Sequence, residues 1–287
     1  MNTMQVTVPR GRFSVRDSGN TDGYPVVMIH GWPESSYCWE AVSPFLKEDL
    51  RLIAPDLRGL GDSERTMEPS LYRKMDLAKD IIEILDFLKV GEFFLAGHDW
   101  GGVVAQEVAL AVPDRVKKLV LMNIPVINNT NGNAEALEIM RSHDCIPFWY
   151  QHFQQQPALP EAMIRGNEET WIRYFFGRAG RDGRIPDNAI QEYIRCYRIE
   201  NTPATGASYY RNMRHDGKRW AELAGMKFPM PSLYIHGTGD TVIIPAYLNH
   251  IEDCFDIIDV ATIDAGHFVQ EEKPEEVAGL LNDFLTA

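Results

Sequence analysis

Apolar residues fall along this chain in two alternating rhythms. Short runs rich in Val, Ile and Leu occur at residues 26–29, 52–54, 93–96, 119–122 and 233–235. Runs that are brief and apolar throughout are what a parallel sheet covered on both faces requires of its strands. Between them the period lengthens. Leu77, Ile81, Leu85 and Leu88 share one helical face, as do Val277, Leu280, Leu281, Phe284 and Leu285 near the end, and such stripes predict helices that cover the sheet. Pro274, Glu275 and Glu276 suit the first turn of the last helix, where a missing N–H is harmless and carboxylates face the positive dipole end.

The rhythm changes over residues 124–213. Strand-like runs vanish, and Trp149, Tyr150, Trp171, Tyr174, Phe175, Phe176, Tyr193, Tyr197, Tyr209 and Tyr210 accumulate in helical stretches. The expected organisation is therefore an α/β core, residues 1–123 and 214–287, interrupted by a helical cap at 124–213. Most of these rings are expected to fill the cap's own core.

The chemistry concentrates where predicted strands end. Gly97-His98-Asp99-Trp100-Gly101-Gly102 follows one apolar run and precedes a helical pattern from Val103. A G-x-D-x-G segment between strand and helix has the layout of a nucleophile elbow, with Asp99 in the place usually held by serine. A carboxylate with an ordinary pKa of about 3.9 is ionised at neutral pH and needs no base to become a nucleophile. It attacks saturated carbon and leaves an alkyl ester that water must cleave.

Downstream, Asp240 follows the run at 233–235, and His267 follows the last expected strand. The order nucleophile, acid, histidine is that of the α/β-hydrolase fold. With Asp99 already charged, His267 is free to activate water, while Asp240 orients the ring. The N–H groups of Trp32, in His30-Gly31-Trp32-Pro33, and of Trp100 are the candidate oxyanion hole. Residues 56–63 lack the third glycine of a dinucleotide loop, since Glu64 stands there, and read as structural. No H-x-x-x-H or HExxH spacing supports a metal at His30, His98, His236 or His267, so no metal and no cofactor are expected.

Composition narrows the partners. At 287 residues and 45% apolar content the chain can bury a full α/β core and still carry an insertion. Its 28 basic residues against 41 acidic ones give a net charge of −13, which excludes a phosphate-tracking surface and makes nucleic acid an unexpected partner. Cys38, Cys145, Cys196 and Cys254 form no CxxC pair, which fits a reducing cytoplasm better than a disulfide framework. Neither a signal peptide nor a membrane span is legible. A small-molecule substrate is the expected partner, and a homodimer is left open.

Taken together these segments resemble the epoxide hydrolases of the α/β-hydrolase fold. The resemblance runs through His30-Gly31-Trp32-Pro33-Glu34-Ser35, residues 56–63, residues 97–102, Gly239-Asp240 and residues 266–274. Its core motifs are shared with haloalkane dehalogenases, so the cap decides. In the epoxide hydrolases two cap tyrosines grip the epoxide oxygen, one followed by Gln and one in a Tyr-Arg-Asn context; Tyr150-Gln151 and Tyr210-Arg211-Asn212 match. The resemblance implies a mostly parallel central sheet with flanking helices and an inserted cap. It further implies Tyr150 and Tyr210 as acid catalysts, Gln151 and Trp100 as substrate contacts, and hydrolysis of an epoxide to a vicinal diol. Trp32 stands where many haloalkane dehalogenases have a halide-binding Asn, and Val103 and Trp100 where fluoroacetate dehalogenases carry arginines. Asn123 leaves the alternative acid position of some dehalogenases without a carboxylate. Hydrolytic dehalogenation is the second reading, and a non-catalytic ligand-binding relative the third.

Overall fold

In the computed structural model, which describes residues 1–142, 148–179 and 184–286, each of the five apolar runs lies within a strand. The strands are β1 (Asn2–Val8), β2 (Gly11–Asp17), β3 (Tyr24–Ile29), β4 (Leu50–Pro55), β5 (Phe93–His98), β6 (Val116–Met122), β7 (Ser232–Gly237) and β8 (Ile258–Ile263). They form one sheet in the order β1-β2-β4-β3-β5-β6-β7-β8. Strands β3 to β8 are parallel, and β1 and β2 are antiparallel additions at one edge. The β1–β2 hairpin is not among the expected runs, because β1 buries only Val6 and Val8, the pattern of a strand wet on one face.

The sheet also explains where a site can form. From β3 the chain goes first to β4 on one side and later to β5 on the other. The segments leaving β3 and β5 therefore part at their carboxyl ends and open a crevice, as at any switch point of an α/β sheet. Gly31 and Trp32 follow β3, and Asp99 follows β5.

Helices α1 (Lys74–Phe87) and α2 (Trp100–Ala111) pack on each other beside the sheet. Helix α1 buries Leu77, Ile81, Ile84 and Leu85, with Leu88 at its C-cap. Between β6 and β7 the described chain is helical: α3 (Thr130–Ser142), α4 (Trp149–Gln154), α5 (Leu159–Ile164), α6 (Glu168–Ala179), α7 (Asp187–Tyr197), α8 (Thr202–Arg211) and α9 (Met213–Ala221). The helical run thus continues past Met213. Helices α10 (Val269–Glu272) and α11 (Pro274–Thr286) close the chain. Cys38, Cys196 and Cys254 are free and buried, while Cys145 lies outside the described residues. No helix among the described residues is long and apolar enough to cross a membrane.

Polar pairs fix the helices to the core at defined points. Along α8 and the turn after it, Thr205 Oγ1 donates to Gly59 O (2.7 Å), Tyr209 Oη to Arg58 O (2.8 Å) and Asn212 Nδ2 to Pro69 O (2.8 Å). These residues recur at helical spacing, so one stripe of α8 faces the core. Tyr210 is turned about 100° away from Tyr209. Arg58 is itself held by a bidentate pair with Asp80, at 2.7 and 2.8 Å, and Arg10 Nε reaches the same carboxylate at 2.6 Å. Residues 56–63 are thereby structural, as expected: Asp56 accepts from Ser36 N (2.7 Å) and Asp62 N (2.9 Å).

Removing Asp80 would leave the wholly buried Arg58 guanidinium without its counter-charge. Asp80→Ala is expected to lower the unfolding free energy by about 3–5 kcal/mol, the usual cost of breaking a buried pair from one side. A urea titration measures it, and a loss below about 1 kcal/mol, the surface-pair range, would contradict the buried-pair account.

Candidate active site

Asp99 occupies the single turn between β5 and α2 with φ 48° and ψ −130°, a backbone region that costs a side-chain-bearing residue of order 1–3 kcal/mol. The strain is accommodated because the neighbours are glycine. A Cβ on Gly101 would run into the carbonyls of Ile29 and His30, and one on Gly31 into the Asp99 side chain itself. The turn lifts the carboxylate to the start of α2, and its two oxygens meet different surroundings. Oδ1 accepts from the Trp32 N–H at 2.8 Å, and Oδ2 lies 3.4 Å from His267 Nε2. Burial alone would raise the pKa of Asp99. The hydrogen bond and charge of His267, with smaller contributions from His98 and the Trp100 N–H, outweigh it and hold the carboxyl below its ordinary value.

His267 follows β8 and is buried beside Asp240, which follows β7. Its Nδ1–H donates to Asp240 Oδ2 at 2.7 Å, while Asp240 Oδ1 accepts from the N–H groups of Val242 (2.7 Å) and Ile243 (3.1 Å). Burial lowers the imidazole pKa, but the charges and hydrogen bonds of Asp240 and then Asp99 bring it well above 6.5. Both ring nitrogens thus face carboxylates, an arrangement that favours the protonated ring.

Tyr150 in α4 and Tyr210 in α8 are brought together, with ring centroids 5.7 Å apart and planes at 84°. The Trp32 ring stacks on Tyr150 at 5.7 Å and meets Tyr210 edge-on at 5.3 Å. Both tyrosines, with Gln151, Trp100 and Asp99, line a cavity of about 440 Å³ whose other walls are mostly apolar, including Val103, Ile124, Leu137 and Trp220. Burial first, then the Asp99 charge for Tyr150 and the neighbouring Tyr150 for Tyr210, pushes both phenols above 10, so both keep their protons. Of the eight predicted residues, Asp99, Tyr150, Tyr210, Trp100 and Gln151 line this cavity, Trp32 and His267 line a small hollow that shares Asp99 and Tyr150 with it, and Asp240 joins through its bond to His267. A separate hollow of about 560 Å³, near Arg165 and Arg198, holds none of them.

Several bracing residues escaped the sequence reading. Asn123 donates through Nδ2 to the carbonyls of Gly266 (2.9 Å) and His267 (2.8 Å) and accepts from Gly237 N (2.8 Å), so it spans the loops that carry acid and base. His98 sets its ring nitrogens against His267 O and Glu34 Oε2, both at 2.8 Å. Tyr197 Oη accepts from Trp32 Nε1 at 2.7 Å. The signals were present: Asn123 directly follows β6, and His98 and Glu34 lie within the quoted motifs, but nothing in a spacing says which way these side chains turn. His30 and His236, the other two histidines considered for a metal, are committed to backbone. His30 Nε2 accepts from Leu57 N (2.9 Å), and His236 Nε2 contacts Ile243 O (2.8 Å). Among the described residues no three His, Cys, Asp or Glu side chains converge as a metal-holding group.

Folding raises the His267 pKa, so this group stabilises the fold fully below pH about 6.5, and the contribution is lost as pH rises through the folded pKa. A ring-proton titration by NMR should place the His267 midpoint well above 6.5 in the resting protein and clearly lower in Asp99→Ala. A midpoint that ignores the loss of Asp99 would contradict the paired arrangement.

With this geometry in place, comparison with known proteins gives a consistent result. A model of the alpha/beta hydrolase fold family matches residues 24–274. Epoxide hydrolase A of Mycobacterium tuberculosis is 29% identical, the match covering 96% of this chain and 94% of that protein. The soluble epoxide hydrolase of a Corynebacterium species is 32% identical over 89% of this chain and 87% of its own. Among solved structures, epoxide hydrolase A from Mycobacterium thermoresistibile superposes with a TM-score of 0.87 at 25% identity, covering 100% of this chain and 98% of that one. The sheet, the elbow and these relatives agree that the chain belongs to the alpha/beta hydrolase fold family, in its epoxide hydrolase branch.

Proposed function

We propose that the protein hydrolyses an epoxide to a vicinal diol in two covalent steps, with residues 124–213 serving as the cap over a core made of 1–123 and 214–287. The observation that carries this reading is the division of labour within one carboxylate. Oδ1 of Asp99 is docked on the Trp32 N–H, Oδ2 is the oxygen toward His267, and the residue lines the cavity.

In the first step Oδ2 attacks an epoxide carbon and the ring C–O bond breaks. Charge moves from Asp99 to the leaving oxygen, which stays attached to the substrate and accepts hydrogen bonds and then a proton from Tyr150 and Tyr210. Protonated phenols serve here as donors that strengthen as the charge arrives. Ester formation also removes the Asp99 charge from beside His267, one of the influences that hold its pKa up. The imidazolium then passes its proton, through solvent, to the phenolate left by the first step and becomes the base for the second. His267 takes a proton from water, the resulting hydroxide attacks the ester carbonyl carbon, and the N–H groups of Trp32 and Trp100 stabilise the oxyanion. Collapse breaks the ester C–O bond, the departing alkoxide takes the remaining proton of the attacking water to complete the diol, and the carboxylate is restored with one oxygen from water. The free thiols suit a reducing cytoplasm as the place of action.

Hydrolytic dehalogenation would use the same nucleophile but needs N–H donors for a departing halide. The Trp32 indole N–H is already given to Tyr197 Oη, which favours the epoxide. A non-catalytic binding role leaves the strained Asp99 turn without a purpose. A panel of small epoxides and haloalkanes, assayed for diol and halide, tests the choice directly: diol without halide is expected, and halide release alone would overturn it.

The two steps are separable by mutation. His267→Gln should still be alkylated and accumulate protein plus one substrate by intact mass; no adduct at saturating substrate would place His267 before ester formation. Changing both Tyr150 and Tyr210 to Phe keeps the rings but removes both donors. It should slow alkylation by about 10²–10⁴, the usual worth of positioned acid catalysis, with much less effect on cleavage of a preformed ester. Full epoxide turnover by that variant would make both tyrosines packing residues.

A further inference from the structure

Lys74, the first residue of α1, is wholly buried although no step above uses it. Its Nζ pairs with Asp216 Oδ2 at 3.0 Å, donates to Tyr209 O at 2.5 Å and lies 4.0 Å from the centroid of the Trp100 ring. An ammonium has three protons, and these three contacts account for all of them. Asp216, at the first turn of α9, also accepts from the Lys74 backbone N–H through Oδ1 at 3.2 Å, so the pair is held at both ends. A buried ion pair gives little net stability over well-packed apolar side chains. What it supplies here is fixed geometry between elements that are far apart in sequence.

The three groups meeting at Lys74 all converge on one catalytic side chain. Trp100 presents one face to the cation and packs against the Tyr210 ring, 5.5 Å away at 76°. The Tyr209 carbonyl belongs to the peptide that carries Tyr210. Asp216 holds the helix that follows. We infer that Lys74 and Asp216 are positioning residues for Tyr210, locking its backbone and its Trp100 neighbour so that the hydroxyl points at the epoxide oxygen. The inference rests on the reading of Tyr210 as an acid catalyst. It locates the effect in one step: ring opening depends on Tyr210, whereas ester cleavage uses His267, Asp240 and the Trp100 N–H, which α2 holds independently of the indole.

Lys74→Met alone strands the Asp216 charge in the interior and is expected to destabilise the fold, so the informative change is Lys74→Met with Asp216→Asn. That pair removes both charges and keeps an amide oxygen for the residue-74 N–H. Rapid-quench single turnovers, with thermal unfolding as the fold control, should show alkylation slowed roughly 10- to 100-fold, the scale of a displaced catalytic group. Hydrolysis of the ester should be unchanged. In a Tyr210→Phe background the same paired change should add nothing, because its target is already gone. Asp216→Glu, which keeps the charge but shifts it by one methylene, is the second variant and should show the same selective slowing to a smaller degree, whether or not the paired variant folds. Equal slowing of both steps, equal slowing in both backgrounds, or no slowing at all would overturn the assignment. A Tyr210→Phe enzyme that alkylates at the wild-type rate would instead remove the acid role of Tyr210, and that single variant tells the two failures apart.

Discussion

Everything in this site depends on a carboxylate held in an uncomfortable place. Asp99 adopts a left-handed backbone at the sharp end of β5, and the neighbouring chain closes on it so tightly that Gly31 tolerates no side chain. The strain is useful because it puts one oxygen on the Trp32 N–H and leaves the other toward His267. A serine in the same turn would need a base before it could attack. In the proposed mechanism the aspartate attacks without a base, and the histidine is reserved for water. The His267 ring lies between Asp99 and Asp240; in that mechanism one carboxylate is consumed and the other persists, so the first step itself tunes the base for the second.

The helices between β6 and β7 contribute by a different physical means. The sheet reaches the site through backbone, by strand ends and tight turns, whereas these helices reach it through rings and a few buried polar anchors. Trp32 is the hinge of the two systems. Its N–H serves Asp99, its ring stacks on Tyr150 and touches Tyr210, and its indole N–H is tied to Tyr197. The stripe of α8 that bonds to Gly59 and Arg58 sets the rotation of that helix and hence the direction of Tyr210. Packing of this kind places a hydroxyl accurately only if the anchors are specific, which accounts for charged and amide groups such as Arg58, Lys74 and Asn212 in a seam where leucines would have sufficed for burial.

The parts legible in the sequence are those written in local patterns. Apolar runs marked the parallel strands, the glycines around Asp99 marked the elbow, and Asp240 and His267 were found because each follows a strand. The β1–β2 hairpin was missed because its burial is one-sided. Asn123, His98 and Tyr197 were missed because their roles are relations between segments far apart in the chain, such as Asn123 with residues 266 and 267, which no window of sequence contains. Tyr150 and Tyr210 lie between these cases. Their sequence contexts pointed to them, but that two rings 60 residues apart face each other is a property of the folded chain.

The central claim is that Asp99 itself, not an activated water, attacks the epoxide. A single turnover with enzyme in excess, run in water enriched in heavy oxygen, tests it most directly. The account predicts that the first diol carries no solvent label and that the label appears in Asp99, detectable by mass in the peptide that contains it. Solvent oxygen in the first-turnover diol, with Asp99 unlabelled, would contradict it.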